Sequence, residues 1–297
     1  MSEPTQPPGE GVAPAIEIAR PTTQSAPLIV SSPHSGRAYD AAFLAGSGLD
    51  PLMLRRSEDS FVDELFGEAP ICGAVLLKAV FPRAYLDVNR EPYELDPAMF
   101  SEPLPAFVNK DSPRVKSGFG TIAQVVAGGG AIYRGKLTFA EAEARIARLY
   151  RPYHAALAEL IDATVRRFGC AILLDCHSMP SIGGLLERDG SGRRVDIVLG
   201  DRYGRSCDPV VIATAETQLA RAGYGVRRND PYAGGFTTEH YGQPQLGVHV
   251  LQVELNRALY MDEARFVPGP GFARVRGEMR QLMETLSGLA VPALAAE

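Results

Sequence analysis

Two histidines each close an apolar run in this chain. His34 lies in Pro33-His34-Ser35-Gly36, directly after Pro27-Leu28-Ile29-Val30-Ser31-Ser32, and His177 lies in Asp175-Cys176-His177-Ser178, after Ala171-Ile172-Leu173-Leu174. A short Val/Ile/Leu run ending in a polar cluster reads as a buried parallel strand that delivers a side chain to the carboxyl edge of a sheet, where open α/β folds build their sites. The chain has five histidines, so two in equivalent places form a candidate metal-ligand pair. The competing reading is a hydrogen-bonded imidazole in each of two turns. Catalytic zinc commonly takes two histidines and one carboxylate and keeps a position open for water. The segment Arg56-Ser57-Glu58-Asp59-Ser60-Phe61-Val62-Asp63 offers that carboxylate at the start of an expected helix. Asp59 is the best placed if Ser57 is the N-cap, although acidic residues there also simply complement the helix dipole. Cys176 and His177 are neighbours on an extended strand and point to opposite faces, so they should not share one ion.

A carboxylate near the end of an apolar strand is the next feature. Val248–Arg257 carries Glu254 among Val, Leu and Asn, and an acid there is costly without a partner. Glu254 is therefore either buried against Arg257 or another cation, or a general base facing a cleft. The cluster Phe81–Arg90 adds Arg83, Asn89 and Arg90. Arginine binds carboxylates bidentately and can stabilise a developing oxyanion, whereas an Arg–Asp87 surface pair would account for only one of the two arginines.

The elements that must hold these groups alternate. Expected strands are Leu28–Ser32, Val75–Val80, Ala84–Asn89, Ala171–Asp175, Val195–Leu199 and Val248–Leu255. Expected helices are Ser57–Gly67, Thr138–Phe168 with a Thr138/Glu141 capping box and a kink at Pro152, one from Asp208-Pro209 to near Gly223, and Phe272 to about Leu289. That order implies an α/β layered fold with a central mixed, largely parallel sheet flanked by helices. Residues 1–25, rich in Pro, Thr, Ser and Gly, read as a flexible N-terminal tail, and 26–297 as a single domain. Two long polar segments, Glu91–Gly120 and Arg227–Gly247, are expected to contact substrate.

Net charge −5 without a long basic run argues against a nucleic-acid or anionic-membrane surface but leaves room for a small anionic substrate in a basic pocket. No run approaches the roughly 20 apolar residues of a membrane helix. Four scattered cysteines without a CxxC pair suggest reduced thiols and a cytoplasmic protein. A G-x-S-x-G elbow, a P-loop and a dinucleotide fingerprint are all missing.

Five segments, in order, resemble the N-formylglutamate amidohydrolase family of zinc-dependent hydrolases: Ser32–Gly36, Glu58–Phe66, Pro82–Arg90, Asp175–Ser178 and Gln252–Arg257. Weaker matches are Ile132-Tyr133-Arg134 and Asn229–Phe236 leading to His240. The resemblance runs from about Leu28 to Asp262. It implies a fold similar to zinc carboxypeptidases and aspartoacylases, one Zn2+ per chain held by His34, Asp59 and His177, and Glu254 as general base. It further implies Arg83 polarising the scissile carbonyl, Asn89 and Arg90 holding the substrate carboxylate, and Arg134 and His240 in the pocket. The implied reaction cleaves an N-formyl or other N-acyl amino acid, such as N-formylglutamate, in histidine catabolism. Where the histidine-utilisation members carry Thr after the first His and a Trp-His pair in the acidic motif, this chain has Ser35 and Ser60-Phe61, which leaves the acyl-amino-acid substrate open. A carboxypeptidase- or aspartoacylase-like deacylase and a non-catalytic amino-acid-binding homologue are the alternatives.

Overall fold

A computed structural model describes residues 14–182 and 195–289. Its core is a seven-stranded sheet of β1 (Ile16–Ala19), β2 (Leu28–Ser32), β3 (Val75–Ala79), β4 (Ala171–Met179), β5 (Ile197–Gly200), β6 (Val226–Arg228) and β7 (Val248–Asn256), in the order β1-β3-β2-β4-β7-β5-β6. Strands β3, β2, β4 and β7 run parallel, and β5 and β6 are parallel to each other. β1 on β3 and β5 on β7 are antiparallel, so the sheet is mixed and largely parallel, as expected.

Every residue of β2 and β4 is buried, because helices cover both faces. Leu28, Val30, Leu174 and Cys176 pack on one side, with Val211, Leu219, Met279 and Leu282 from the Pro209–Arg221 and Phe272–Ser287 helices. Ile29, Leu173 and Val250 pack on the other, with Tyr153, Leu157 and Leu160 of the Arg151–Phe168 helix. Each such side chain contributes about 1.5–3 kcal/mol by leaving water. The alternation puts Cys176 in the first layer and leaves Asp175 and His177 to the other face.

Several expected boundaries move. The strand expected at Ala84–Asn89 is a run of turns. Tyr85 and Leu86 N–H bond back to Pro82 O, and the Asp87 carboxylate takes the Asn89 N–H, so local bonds replace a ladder. β4 continues to Met179, which places His177 within the strand rather than after it. The helix expected from Ser57 shrinks to Val62–Leu65, and Ser57 ends a 3-10 turn instead of capping it. Glu58 is the reason: its carboxylate binds Arg55 Nε, Ser60 Oγ and Tyr39 Oη, holding the backbone out of the helix. The tail does not extend to Ser25, since Ile16–Ala19 form the edge strand β1; residues 1–13 lie outside the described residues. Thr138 and Glu141 form the expected capping box. Ahead of Pro152, which lacks a donor and crowds the preceding turn, Ile146–Tyr150 adopt a π turn.

Candidate metal centre

The turn after β2 carries His34 and is clipped to the Asp59 segment. Asp59 N–H donates to His34 O at 3.0 Å, and Ser35 Oγ donates to Asp59 O at 2.8 Å. Gly36 permits this path, since a Cβ there would lie 2.2 Å from Phe81 O. His177 arrives from the neighbouring strand, level with Glu254 on β7. Asp59 is thus delivered by the irregular chain between the 3-10 turn and the Val62–Leu65 helix, and not by the first helical turn that the sequence suggested.

Three side-chain atoms converge. His34 Nδ1 and His177 Nδ1 are 3.1 Å apart, and Asp59 Oδ2 lies 3.3 Å from the first and 3.0 Å from the second. All three residues are buried. Tetrahedral bonds of about 2.0–2.1 Å place ligand atoms roughly 3.3–3.4 Å apart, so the three atoms have the spacing of one face of such a site.

The other ring nitrogens explain why both lone pairs point inward. His34 Nε2 lies 2.7 Å from Asp87 Oδ1, and His177 Nε2 lies 3.0 Å from Asp175 Oδ2. A carboxylate accepts only N–H, which fixes the proton on Nε2 and frees Nδ1 for a cation. Asp59 Oδ1 accepts from Ser178 Oγ (3.2 Å) and Arg257 Nη2 (3.3 Å), leaving Oδ2 for the cluster. Without a cation a proton must sit among these atoms. Burial opposes charge on both, yet the two imidazoles hold Asp59 well below the usual carboxylate range, and Asp175 and Asp59 raise the His177 imidazole well above its usual value. The donor set therefore fits a divalent metal such as zinc.

Glu254 borders the same cavity, of about 550 Å³, as His34, His177 and Arg83. Arg257 turns to Asp59 and Ser178 instead. Glu254 Oε1 accepts from Gln252 Nε2 at 3.0 Å. Burial pushes its carboxyl up to about 7, with His177 and Arg83 opposing and Asp59 adding to the rise. Glu254 thus combines parts of both sequence readings: it is buried near cations other than Arg257, and it borders the cavity.

A family model described as N-formylglutamate amidohydrolase matches residues 26–261. The chain belongs to that family. It is 33% identical over 266 residues to the N-formylglutamate deformylase of Pseudomonas aeruginosa, covering 88% of this chain and 92% of that one. The deformylase of Pseudomonas putida is 30% identical over 241 residues, covering 80% and 82%. The crystal structure of the N-formylglutamate amidohydrolase from Ralstonia eutropha superposes with a TM-score of 0.86 at 38% identity, over 93% of this chain and 98% of that one. A protein of Agrobacterium tumefaciens shares the fold at 20% identity, with a TM-score of 0.64 over 93% and 94%.

The remaining candidates of this amidohydrolase-family chain divide. Arg83 and Arg90 line the cavity. Arg83 Nε donates to Asp87 Oδ2 at 2.9 Å, and Arg90 Nη2 lies 3.5 Å from the same oxygen. Asn89 borders the cavity but its amide is committed to the protein. Its oxygen accepts Thr237 N–H (2.8 Å), and Nδ2 donates to Asp175 Oδ2 (3.2 Å), the acceptor it shares with His177 Nε2–H.

The structure does not bring Arg134 or His240 to the cluster. Arg134 lines a separate cavity with Asp40 and Arg148, because its N–H is bonded to Gly46 O and Ile132 is buried beneath. His240 is exposed on the Phe236–Tyr241 helix and stacks on Phe236 at 4.9 Å, while Thr237 and Thr238 face inward. Sequence reasoning gave no site role to Gln252, Arg56 or Arg114, all of which line the cavity, and saw Asp87 only as an arginine partner. The signal for Asp87 and Asp175 was an acid two residues before another site residue.

Proposed function

We propose that this chain is a zinc-dependent amidohydrolase that cleaves an N-formyl amino acid, such as N-formylglutamate, to formate and the free amino acid. The convergence of His34 Nδ1, Asp59 Oδ2 and His177 Nδ1 within 3.3 Å carries this reading. The deformylase relatives and the cavity's arginines support an anionic substrate. When bound by those three residues, zinc supplies Lewis acidity and acidifies water from a pKa of about 15.7 to about 7.

The chain's own groups do the rest. Glu254 accepts the attacking water's proton at Oε2, the oxygen not engaged by Gln252. Glu254, buried beside the cluster, takes that proton and returns it to the departing nitrogen. The C–N bond breaks, the nitrogen leaves as an amine, and the water oxygen stays in formate. Arg83, tethered through Nε, presents its terminal nitrogens to the oxyanion. Arg90 binds the α-carboxylate and orients the formamide. Asn89 positions Asp175, and through it His177, and does not hold substrate. The four cysteines are free thiols, which supports a cytoplasmic enzyme.

The test is formate release from N-formyl-L-glutamate by zinc-loaded and chelator-treated protein, beside N-acetyl and peptide substrates. Turnover should need the metal and favour the formyl compound. Equal rates with and without metal would contradict the proposal.

A further inference from the structure

Five guanidinium groups, those of Arg56, Arg83, Arg90, Arg114 and Arg257, line the metal-site cavity. Three have anionic partners. Arg83 and Arg90 share Asp87, and Arg257 binds Asp59. Among the described residues, Arg56 and Arg114 make no side-chain ion pair or hydrogen bond. The two differ in how they are held. Arg56 is exposed at the rim, whereas Arg114 is half-buried on the short Pro113–Lys116 helix.

The backbone around Arg114 is pinned. Ser112 Oγ accepts Val115 N–H at 3.1 Å, Arg114 O accepts Phe119 N–H at 2.8 Å, and Val115 is buried. Arg90 is tied to the same loop through Nε to Phe119 O at 2.8 Å. Two like charges are thus held beside one cavity. Burial lowers Arg90 to about 10, with Asp87 opposing the fall and Arg83 and Arg114 adding to it. An unpaired guanidinium on a cavity wall can take a carboxylate as a bidentate, charge-assisted partner.

We infer that Arg114 is a specificity residue that binds a second carboxylate, on the substrate's side chain, while Arg90 takes the α-carboxylate. The inference rests on the deformylase reading and adds to it the residue that reads the substrate's side chain. A neutral isostere would leave the Arg114 charge unanswered. Loss of a charge-assisted hydrogen bond corresponds to roughly 10- to 150-fold in binding.

The experiment compares wild type, Arg114→Ala and Arg114→Lys, all zinc-loaded, on N-formyl-L-glutamate and N-formyl-L-glutamine. Calorimetric titration with L-glutamate and L-glutamine runs in parallel. The kcat/KM ratio of glutamate to glutamine substrate should fall roughly 10- to 150-fold in Arg114→Ala, mainly through KM, and Arg114→Lys should recover part of it. Glutamate binding should weaken and glutamine binding should not. A ratio within threefold of wild type, or equal losses on both substrates, overturns the inference. If wild type turns over neither formyl compound, the deformylase reading falls by itself. The titration then decides on Arg114: a preference for glutamate that Arg114→Ala abolishes upholds it, and no preference in wild type overturns it.

Discussion

Replacing Asp87 by Asn tests whether one carboxylate couples the metal ligand to the oxyanion arginine. Asp87 Oδ1 accepts His34 Nε2–H at 2.7 Å and Asn89 N–H at 2.8 Å, while Oδ2 accepts Arg83 Nε at 2.9 Å and faces Arg90 at 3.5 Å. An amide can serve only one side. With its oxygen on His34, its NH2 meets the Arg83 donor. With the NH2 on His34, the imidazole is forced to the tautomer whose Nδ1–H points at the metal position. Loss of a partner behind a ligating histidine costs about 10- to 100-fold in metal affinity. Loss of a charged hydrogen bond on Arg83 costs about 1.5–3 kcal/mol, which is roughly 10- to 150-fold in kcat/KM if that orientation is needed in the transition state. Zinc affinity is read by competition with a chelating dye, and kcat/KM by formate release at saturating zinc, with a thermal melt as the fold control. Asp175→Asn is the comparison, because Asp175 contacts His177, Asn89 and Ser31 but no arginine. It should lose similar zinc affinity and regain most activity when zinc is saturating. If Asp87→Asn binds zinc within threefold of wild type and keeps its kcat/KM, the coupling is wrong.

Glu254 gives a pH prediction for the metal-free chain. Its carboxyl sits at about 7 when folded against an ordinary 4.5, so the folded state binds this proton more tightly. The group favours the fold at low pH, and that contribution is lost as pH rises from about 4.5 to about 7, on the order of 3 kcal/mol in all. Glu254→Gln should therefore be the more stable protein at pH 8 and lose that advantage near pH 4.5 in denaturant melts, while releasing almost no formate. An advantage independent of pH would count against the buried-carboxylate account. Zinc binding must also displace the proton shared by Asp59 and His177. Calorimetry at pH 7 in buffers of different ionisation enthalpy should show proton release, and none would mean that the cluster is not protonated without metal. Gly235→Ala should disturb the centre from outside, since its Cβ would lie 2.4 Å from Asn89 Nδ2. We expect a stability loss of about 1–3 kcal/mol with weakened zinc binding, and unchanged values for both would show that Asn89 is not fixed by that contact.

The strands that deliver His34, His177 and Glu254 were legible because Leu28–Ser32, Ala171–Leu174 and Val248–Leu255 are apolar runs of strand length. The opposite facing of Cys176 and His177 followed from the period of two. The setting of Asp59 was not legible. Periodicity sees acidic residues before an apolar run and reads a helix start, but Glu58's bonds to Arg55, Ser60 and Tyr39 depend on tertiary neighbours. The same blindness made Ala84–Asn89 a strand, since its alternation reflects Arg83, Asp87 and Asn89 turning toward the cavity. Edge strand β1 was missed because Ile16–Ala19 is four residues long and lies next to a Pro-rich stretch. Arg134 and His240 matched a pattern by type, and their surroundings in the fold send them elsewhere. Arg114 carried no signal, because an arginine in a polar loop is ordinary until its neighbours are known.

The most direct measurement is an anomalous diffraction map at the zinc edge from crystals of the zinc-loaded protein. The account predicts one strong peak per chain, about 2.0–2.1 Å from His34 Nδ1, His177 Nδ1 and Asp59 Oδ2. A peak elsewhere, or none at that cluster in protein that releases formate, would contradict it.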